Sequence, residues 1–318
     1  MPLSVFFEGG RTLKTLSQCI REWMDQYKRN SVKPTTFDRL ETSFRAMLNH
    51  RISAINISEL NAEDLQEYVN EMVEDGYALS TIKKQHHLVS SYLKFANTEG
   101  IIERPFYNNV RLPVRSAVKK KQKEIESYSR TEQMRLTEVL GTNERPGYSV
   151  ALLMLETGLR VGEALALEWS DVLWNRRALR VNKTLIRLAN RHIMEVQDGA
   201  KSFSSNRTIP LSKEAYRLLS ELYETASDKY GYIFPGRDGK PMSYEALRYQ
   251  IQIACDIADV PYKGQHVFRH TFATNCYYRG CDVKILSKLL GHADVSITYN
   301  TYIHLYGDAL EEMRSVIG

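Results

Sequence analysis

Six residues in the C-terminal half of the chain are of the types needed to hold and attack a phosphodiester: Arg160, Lys201, His266, Arg269, His292 and Tyr302. Two guanidinium groups, an ammonium and imidazoles can neutralise a phosphate as charge builds on it. A tyrosine hydroxyl can attack that phosphate and store the bond as a phosphotyrosyl ester. Together they point to breaking and rejoining a DNA strand. Each lies in a distinct local phrase. Thr157-Gly158-Leu159-Arg160-Val161-Gly162-Glu163 comes first, then His266-Val267-Phe268-Arg269-His270, and Leu290-Gly291-His292 precedes Tyr302-Ile303-His304 by ten residues.

Taken one at a time, these residues have competing readings. Arg160 and Glu163 stand three apart at a helix start after Gly158, a spacing that serves a structural ion pair as well as a catalytic arginine. His266, Arg269 and His270, at i, i+3 and i+4, share one helical face. The two histidines have the spacing of a zinc pair, but Val267 stands where a metalloprotease carries its glutamate, so no metal is expected; histidines satisfied by backbone carbonyls are the alternative. Lys201 falls in the turn-rich stretch Gly199–Asn206 between two predicted strand regions. At a hairpin tip its ammonium, ordinarily titrating near 10.4, can be lowered by neighbouring arginines until it serves as a general acid. Tyr299, Tyr302 and Tyr306 would share a helical face as nucleophile candidates or as an aromatic core stripe, and spacing does not choose among them.

The elements that must position these groups follow from apolar periodicity. Residues 12–108 read as helices throughout: Leu13, Leu16, Ile20, Trp23 and Tyr27 form one stripe, and further helices fall near 34–50, 61–74 and 79–97. A bundle of four or five helices results. Arg111, Arg115, Lys119, Lys120, Lys121 and Lys123 put six positive charges into thirteen residues around Pro113, a linker able to lie along a DNA backbone or to act as a solvated tether. Beyond it, Ser129 or Thr131 caps a helix towards Leu140, and another covers 149–156. The stretches 178–186 and 207–211 read as strands of one small antiparallel sheet of about three strands. Helices resume over 212–230, 243–258, 268–278, 283–290 and 295–302. The fold class expected is mainly α with a small antiparallel β-sheet, in two domains, 12–110 and 128–318, joined by the linker 111–127.

Composition fits that plan. The 318 residues suffice for two domains, and the net charge of +5 leans towards a polyanionic partner. Cys19, Cys255, Cys276 and Cys281 form no CxxC pair, which suggests neither a zinc site nor a disulfide framework and fits a reducing cytoplasm. Neither a leader nor a run of eighteen apolar residues is present, so no membrane role is expected.

The ordered set of phrases, with the Lys201 turn ending in Arg207-Thr208-Ile209-Pro210-Leu211, resembles the tyrosine recombinase family, the phage-type integrases, and within it the integrases of conjugative transposons. The resemblance implies an N-terminal core-binding helical bundle and a C-terminal catalytic domain that close around DNA. It makes Tyr302 the nucleophile, through Tyr-x-His, and leaves Tyr299 and Tyr306 as packing residues. Arg160 and Arg269 would bind the non-bridging oxygens of the scissile phosphate, with His292 donating a further hydrogen bond. Lys201 would protonate the departing 5′ oxygen, His266 would assist proton transfer from Tyr302, and Glu163 would orient the arginines. A 3′-phosphotyrosyl intermediate conserves the bond energy, so neither ATP nor a metal cofactor is implied.

The partners implied are double-stranded DNA, a protein dimer on each site, a homotetramer on synapsed DNA resolving a Holliday junction, and accessory excision or DNA-bending factors. The residues before Thr12 are too few for the arm-binding domain of many such integrases, and the apolar spacing of Leu305, Leu310, Met313, Val316 and Ile317 suits a tail helix docking on a neighbour or on its own domain. A type IB topoisomerase, with a related tyrosine and arginine set, and a catalytically inactive DNA-binding regulator are the alternatives.

Overall fold

The computed structural model describes residues 7–8, 11–12, 14–114, 118, 126–142, 144–188, 193–198, 206–236 and 239–302. Arg115, Lys119, Lys120, Lys121, Lys123 and Lys201, and everything after Tyr302, lie outside that set. Two compact units emerge, residues 1–123 with 187–193, and residues 124–186 with 194–318.

In the first unit Phe7–Glu8 (β1) and Arg11–Thr12 (β2) pair as an antiparallel ribbon, so the first helix starts later than the expected Thr12. It begins at Leu16 (α1, Leu16–Trp23), where the Thr15 hydroxyl and the Gln18 side chain satisfy each other's backbone N–H in a capping box. A wider turn over Met24–Lys28 follows, closed by an i to i+5 bond from the Arg29 N–H to the Met24 carbonyl. The extra residue brings Met24 into the core and leaves Tyr27, expected on the buried stripe, 41% exposed with its ring 4.7 Å from Phe95.

Three longer helices complete the bundle: α2 (Pro34–Met47), started by a proline at its first position, α3 (Ala62–Glu74), capped by Asn61 with Asp64, and α4 (Leu79–Thr98). Their apolar faces meet around Ile20, Trp23, Met47, Leu65, Met72, Leu88 and Leu93, each worth about 1.5–3 kcal/mol when fully removed from water. The Gln66 side chain brackets the Arg111 backbone, donating to its carbonyl and accepting from its N–H, while the Arg111 side chain faces solvent. Val118 is 8% exposed within the same core, so the segment is held at Arg111 and at Val118.

The second unit is organised around α6 (Pro146–Thr157), which is apolar on nearly every side and buried accordingly; Tyr148, Val150, Ala151, Leu153 and Met154 are all inaccessible. Against it pack α5 (Arg130–Leu140, capped by Ser129), α8 (Lys213–Thr225), α9 (Tyr244–Ile257) and α10 (Val267–Tyr278). A short helix α7 (Val161–Leu165) follows α6 after a left-handed turn at Gly158, φ 66°.

Among the described residues the strands after α7 make two sheets rather than one. Val172–Leu173 (β3), Ala178–Val181 (β4) and Arg207–Pro210 (β7) form an antiparallel sheet in the order β3–β4–β7, with Leu179 opposite Ile209. Lys183–Leu188 (β5) pairs separately with Ile193–Asp198 (β6), a strand the periodicity left unassigned because only Met194 and Val196 alternate with polar neighbours. The described residues close with α11 (Val283–Leu290), ended by Gly291 at φ 65°, and α12 (Val295–Tyr302). Among the described residues no helix is long and apolar enough to cross a membrane.

Candidate active site

Two helix ends build the site. A helix leaves its last carbonyls without intrahelical partners, and that terminus carries partial negative charge. Here guanidinium groups fill the need. Arg269, on the first turn of α10 and 5% exposed, donates from Nη1 to the Gly158 carbonyl at 2.8 Å and from Nη2 to the Leu290 carbonyl at 2.7 Å. Arg160, the residue before α7, donates from Nη2 to the Gly291 carbonyl at 2.8 Å. Arg207, at the start of β7, donates from Nε to the Leu289 carbonyl at 2.6 Å. The C-terminal end of α11 is thus a shared anchor for three arginines that are distant in sequence.

Glu163 ties two of them together. Its carboxylate accepts from Arg160 Nη1 at 2.7 Å and from the Arg160 backbone N–H at 2.9 Å, and Arg207 meets it with a two-pronged fork, Nη1 at 3.0 Å and Nη2 at 2.8 Å. Burial alone would raise the Glu163 pKa; the hydrogen bonds and charge of Arg207, with those of Arg160, overcome it and hold the carboxyl down at about 2. Three guanidinium groups against one carboxylate leave a surplus of two positive charges, which suits a phosphodiester. Gly162 lets α7 approach closely: a Cβ there would lie 2.5 Å from the Leu185 carbonyl oxygen and 2.5 Å from Tyr244 Oη.

His292 stands beside Arg269, whose Nη2 lies 2.9 Å from His292 Nε2. A guanidinium only donates, so Nε2 accepts and the ring proton sits on Nδ1, which donates to Thr298 Oγ1 at 2.6 Å. Desolvation, then the charges of Arg269, Arg160 and Arg207, push the His292 pKa down to about 4, and His270 is pushed to about 4 by burial, His266 and Arg269. His266, the residue before α10, is exposed. Surrounding protein, then Arg269 and Arg160, still lower its pKa. All three imidazoles are therefore neutral near pH 7.

Of the residues expected from sequence, Arg160 bonds to Glu163 and Arg269 to His292, the two pairs meet at the Leu290 and Gly291 carbonyls, and His266 and His270 sit within their field. Tyr302 is the last residue of α12, one turn beyond the Thr298 that holds His292. Lys201 lies outside the described residues, in the connection from β6 to β7. Arg111 belongs to the first unit. Two participants escaped the sequence reading. Thr298, 1% exposed, carries no motif signal. Arg207 had one: on a strand of period two it shares a face with the buried Ile209, and a charged residue on a buried face needs a partner.

Comparison with known proteins identifies the family. Residues 128–308 match the phage integrase family and residues 15–73 the phage integrase N-terminal SAM-like domain. A tyrosine recombinase XerC-like protein of Caldanaerobacter subterraneus subsp. tengcongensis is 28% identical over 313 residues, covering 92% of this chain and 79% of the relative. The fold also matches a solved structure of the Tn1549 transposon integrase in complex with transposon right end DNA, at a TM-score of 0.78 and 21% identity over 96% of this chain and all of that one. A lambda integrase tetramer bound to a Holliday junction matches at a TM-score of 0.66 and 16% identity over 91% of this chain and 77% of that one. With the family match covering more than half its length, the chain belongs to the phage integrase family and is a tyrosine recombinase, a site-specific DNA recombination enzyme.

Proposed function

We propose that the protein integrates and excises a mobile element by two sequential strand exchanges, with Tyr302 as the nucleophile. The observation that carries this reading is the convergence of Arg160, Arg269 and His292 on the end of α11, with His292 bonded to Thr298 of α12, the helix that carries Tyr302 one turn further on. Arg160 and Arg269 take the two non-bridging oxygens of the scissile phosphate, and their stabilisation grows in the pentacoordinate transition state. The Tyr302 hydroxyl attacks, forming a 3′-phosphotyrosyl bond and freeing a 5′ hydroxyl. Lys201 protonates that leaving oxygen, and His266, neutral and exposed, assists removal of the tyrosine proton. Glu163 holds the Arg160 guanidinium in place.

For His292 to donate to phosphate, its proton must move to Nε2. Thr298 serves the Nδ1 side, because its hydroxyl can rotate from acceptor to donor, while on the Nε2 side the Arg269 Nη2 donor turns from the imidazole to the phosphate. Residues 12–110 act as the core-binding domain, 111–127 as the linker whose lysines and arginines follow the DNA backbone, and 128–318 as the catalytic domain. The working assembly is a dimer on each duplex site and a tetramer on two synapsed sites, in a bacterial cytoplasm, with accessory excision or DNA-bending factors biasing direction. Topoisomerase-like relaxation is not favoured, since the N-terminal match is to the integrase SAM-like domain.

A nicked suicide substrate carrying the element's end tests the central step. The wild-type chain should trap a covalent adduct and Tyr302→Phe none; an adduct in the Phe variant would assign the attack to another residue. Relaxation of supercoiled DNA without exchange between two defined sites would overturn the recombinase reading.

A further inference from the structure

We infer that Arg207 is a positioning residue for strand cleavage, which keeps the Arg160 charge available to the scissile phosphate by taking the Glu163 carboxylate for itself. The inference rests on the recombinase reading above. Its basis is a geometric imbalance: one buried carboxylate lies between two guanidinium groups, and it engages them differently.

Arg207 meets both Glu163 oxygens through Nη1 and Nη2, whereas the Arg160 side chain touches only Oε1, through Nη1, and gives its other terminal nitrogen to the Gly291 carbonyl. The Arg207 and Glu163 side chains are 7% and 6% exposed, so water does little to screen that pair; Arg160, at 34%, opens to the site. A forked arginine–carboxylate contact is a near-neutral unit. Arg160 therefore keeps its formal charge while still being oriented by Glu163 and Gly291. Without Arg207, the same carboxylate would have Arg160 as its only cation within hydrogen-bond reach among the described residues. Its acceptor capacity would draw the guanidinium inward, and the pair would present almost no net charge to an incoming phosphate.

Arg207 fixes position as well as charge. Its Nε donates to the Leu289 carbonyl, so β7, α7 and the end of α11 are clamped through one side chain. That end of α11 also holds Arg160 and Arg269. A close approach supports the clamp: a Cβ on Gly291 would lie 2.9 Å from Arg207 Nη1, so the left-handed turn after α11 is shaped around this guanidinium.

The experiment is single-turnover cleavage of a nicked suicide DNA at saturating DNA, with thermal unfolding and DNA affinity measured alongside. Arg207→Gln should cleave about 10²-fold more slowly, the cost of misplacing a catalytic group by roughly 1 Å, with DNA affinity little changed. The double variant Arg207→Gln/Glu163→Gln removes both charges and should recover at least about tenfold of that loss, because Arg160 is no longer neutralised. The acid limb of the cleavage rate should move to higher pH in Arg207→Gln and return in the double variant, since His292 is faced by Arg160, Arg207, Arg269 and His270 and feels their summed charge. A purely structural role would give no recovery of rate in the double variant, because Glu163→Gln restores none of the lost Arg207 contacts. Arg207→Lys, which keeps charge but not the fork, should fall between wild type and Arg207→Gln and serves as the test if the glutamine variant does not fold.

Wild-type rates in Arg207→Gln, a double variant no faster than the single, or an unmoved acid limb would each overturn the inference. Absence of any covalent adduct with the wild-type chain would overturn the recombinase reading instead.

Discussion

Replacing Gly162 by alanine tests whether the arginine site depends on how closely α7 lies against β5. The added Cβ would stand 2.5 Å from the Leu185 carbonyl oxygen, 2.5 Å from Tyr244 Oη and 2.6 Å from Thr184 Oγ1. Ordinary contact begins near 3.4 Å, so the helix and strand must part by about 0.9 Å. Overpacking of this kind costs about 1–3 kcal/mol, and losing the 2.6 Å bond from Tyr244 Oη to the Leu185 carbonyl adds about 1 kcal/mol. For a unit of this size a total of about 2–4 kcal/mol lowers Tm by roughly 10 °C. Because Gly162 lies between Arg160 and Glu163, the displacement is carried into the site, where an error near 1 Å is worth about 10²-fold in rate. Circular dichroism during heating and single-turnover cleavage of a nicked substrate read the two effects separately. A G162A variant that melts within about 2 °C of wild type and cleaves at the wild-type rate would refute the close approach as the device that sets Arg160.

Other outcomes follow from the same geometry. Thr298→Val should leave the His292 Nδ1–H without its 2.6 Å acceptor, destabilising the second unit by about 1–3 kcal/mol and slowing cleavage by about tenfold, while Thr298→Ser stays near wild type; equal rates for Val and Ser would remove Thr298 from the site. His270 and His292 have folded pKa values of about 4, below the ordinary 6.5, so the unfolded chain binds more protons between those values. Their contribution to stability is full above about 6.5 and is lost as pH falls towards 4, whereas Glu163, at about 2, stays ionised; a Tm flat from pH 7 to 4 would contradict this. Replacing Lys119, Lys120 and Lys121 by alanine should weaken DNA binding and reduce the slope of log K against log salt by up to about 0.9 for each phosphate that is no longer neutralised, and an unchanged slope would make the segment a tether.

Much of the architecture was legible because local rules governed it. The bounds of α11 and α12 follow from apolar spacing and caps that stand beside each other in sequence, such as Asp282 before α11 and Gly291 after it. Boundaries failed where a non-local choice intervened. Arg11–Thr12 could extend a helix but pairs with Phe7–Glu8, and the turn at Met24–Lys28 changes which side chain fills the core. The break at Asn182, which divides β4 from β5 and so one expected sheet into two, has no marker as strong as glycine or proline.

The sequence by itself determined the candidate inventory, since Arg160, Lys201, His266, Arg269, His292 and Tyr302 fall in an ordered set of phrases whose chemistry suits a phosphodiester. It also determined the two-part organisation, because the periodic apolar faces stop on either side of the basic segment. Only the tertiary structure decided how the charges are shared: that Glu163 is held by Arg207 as well as Arg160, that α11's last carbonyls anchor three arginines, and that Arg269 sets the His292 tautomer, with Thr298 accepting from Nδ1. Those are properties of hydrogen-bond geometry between segments up to 131 residues apart, where direction and a few tenths of an ångström select the partner and residue type alone does not.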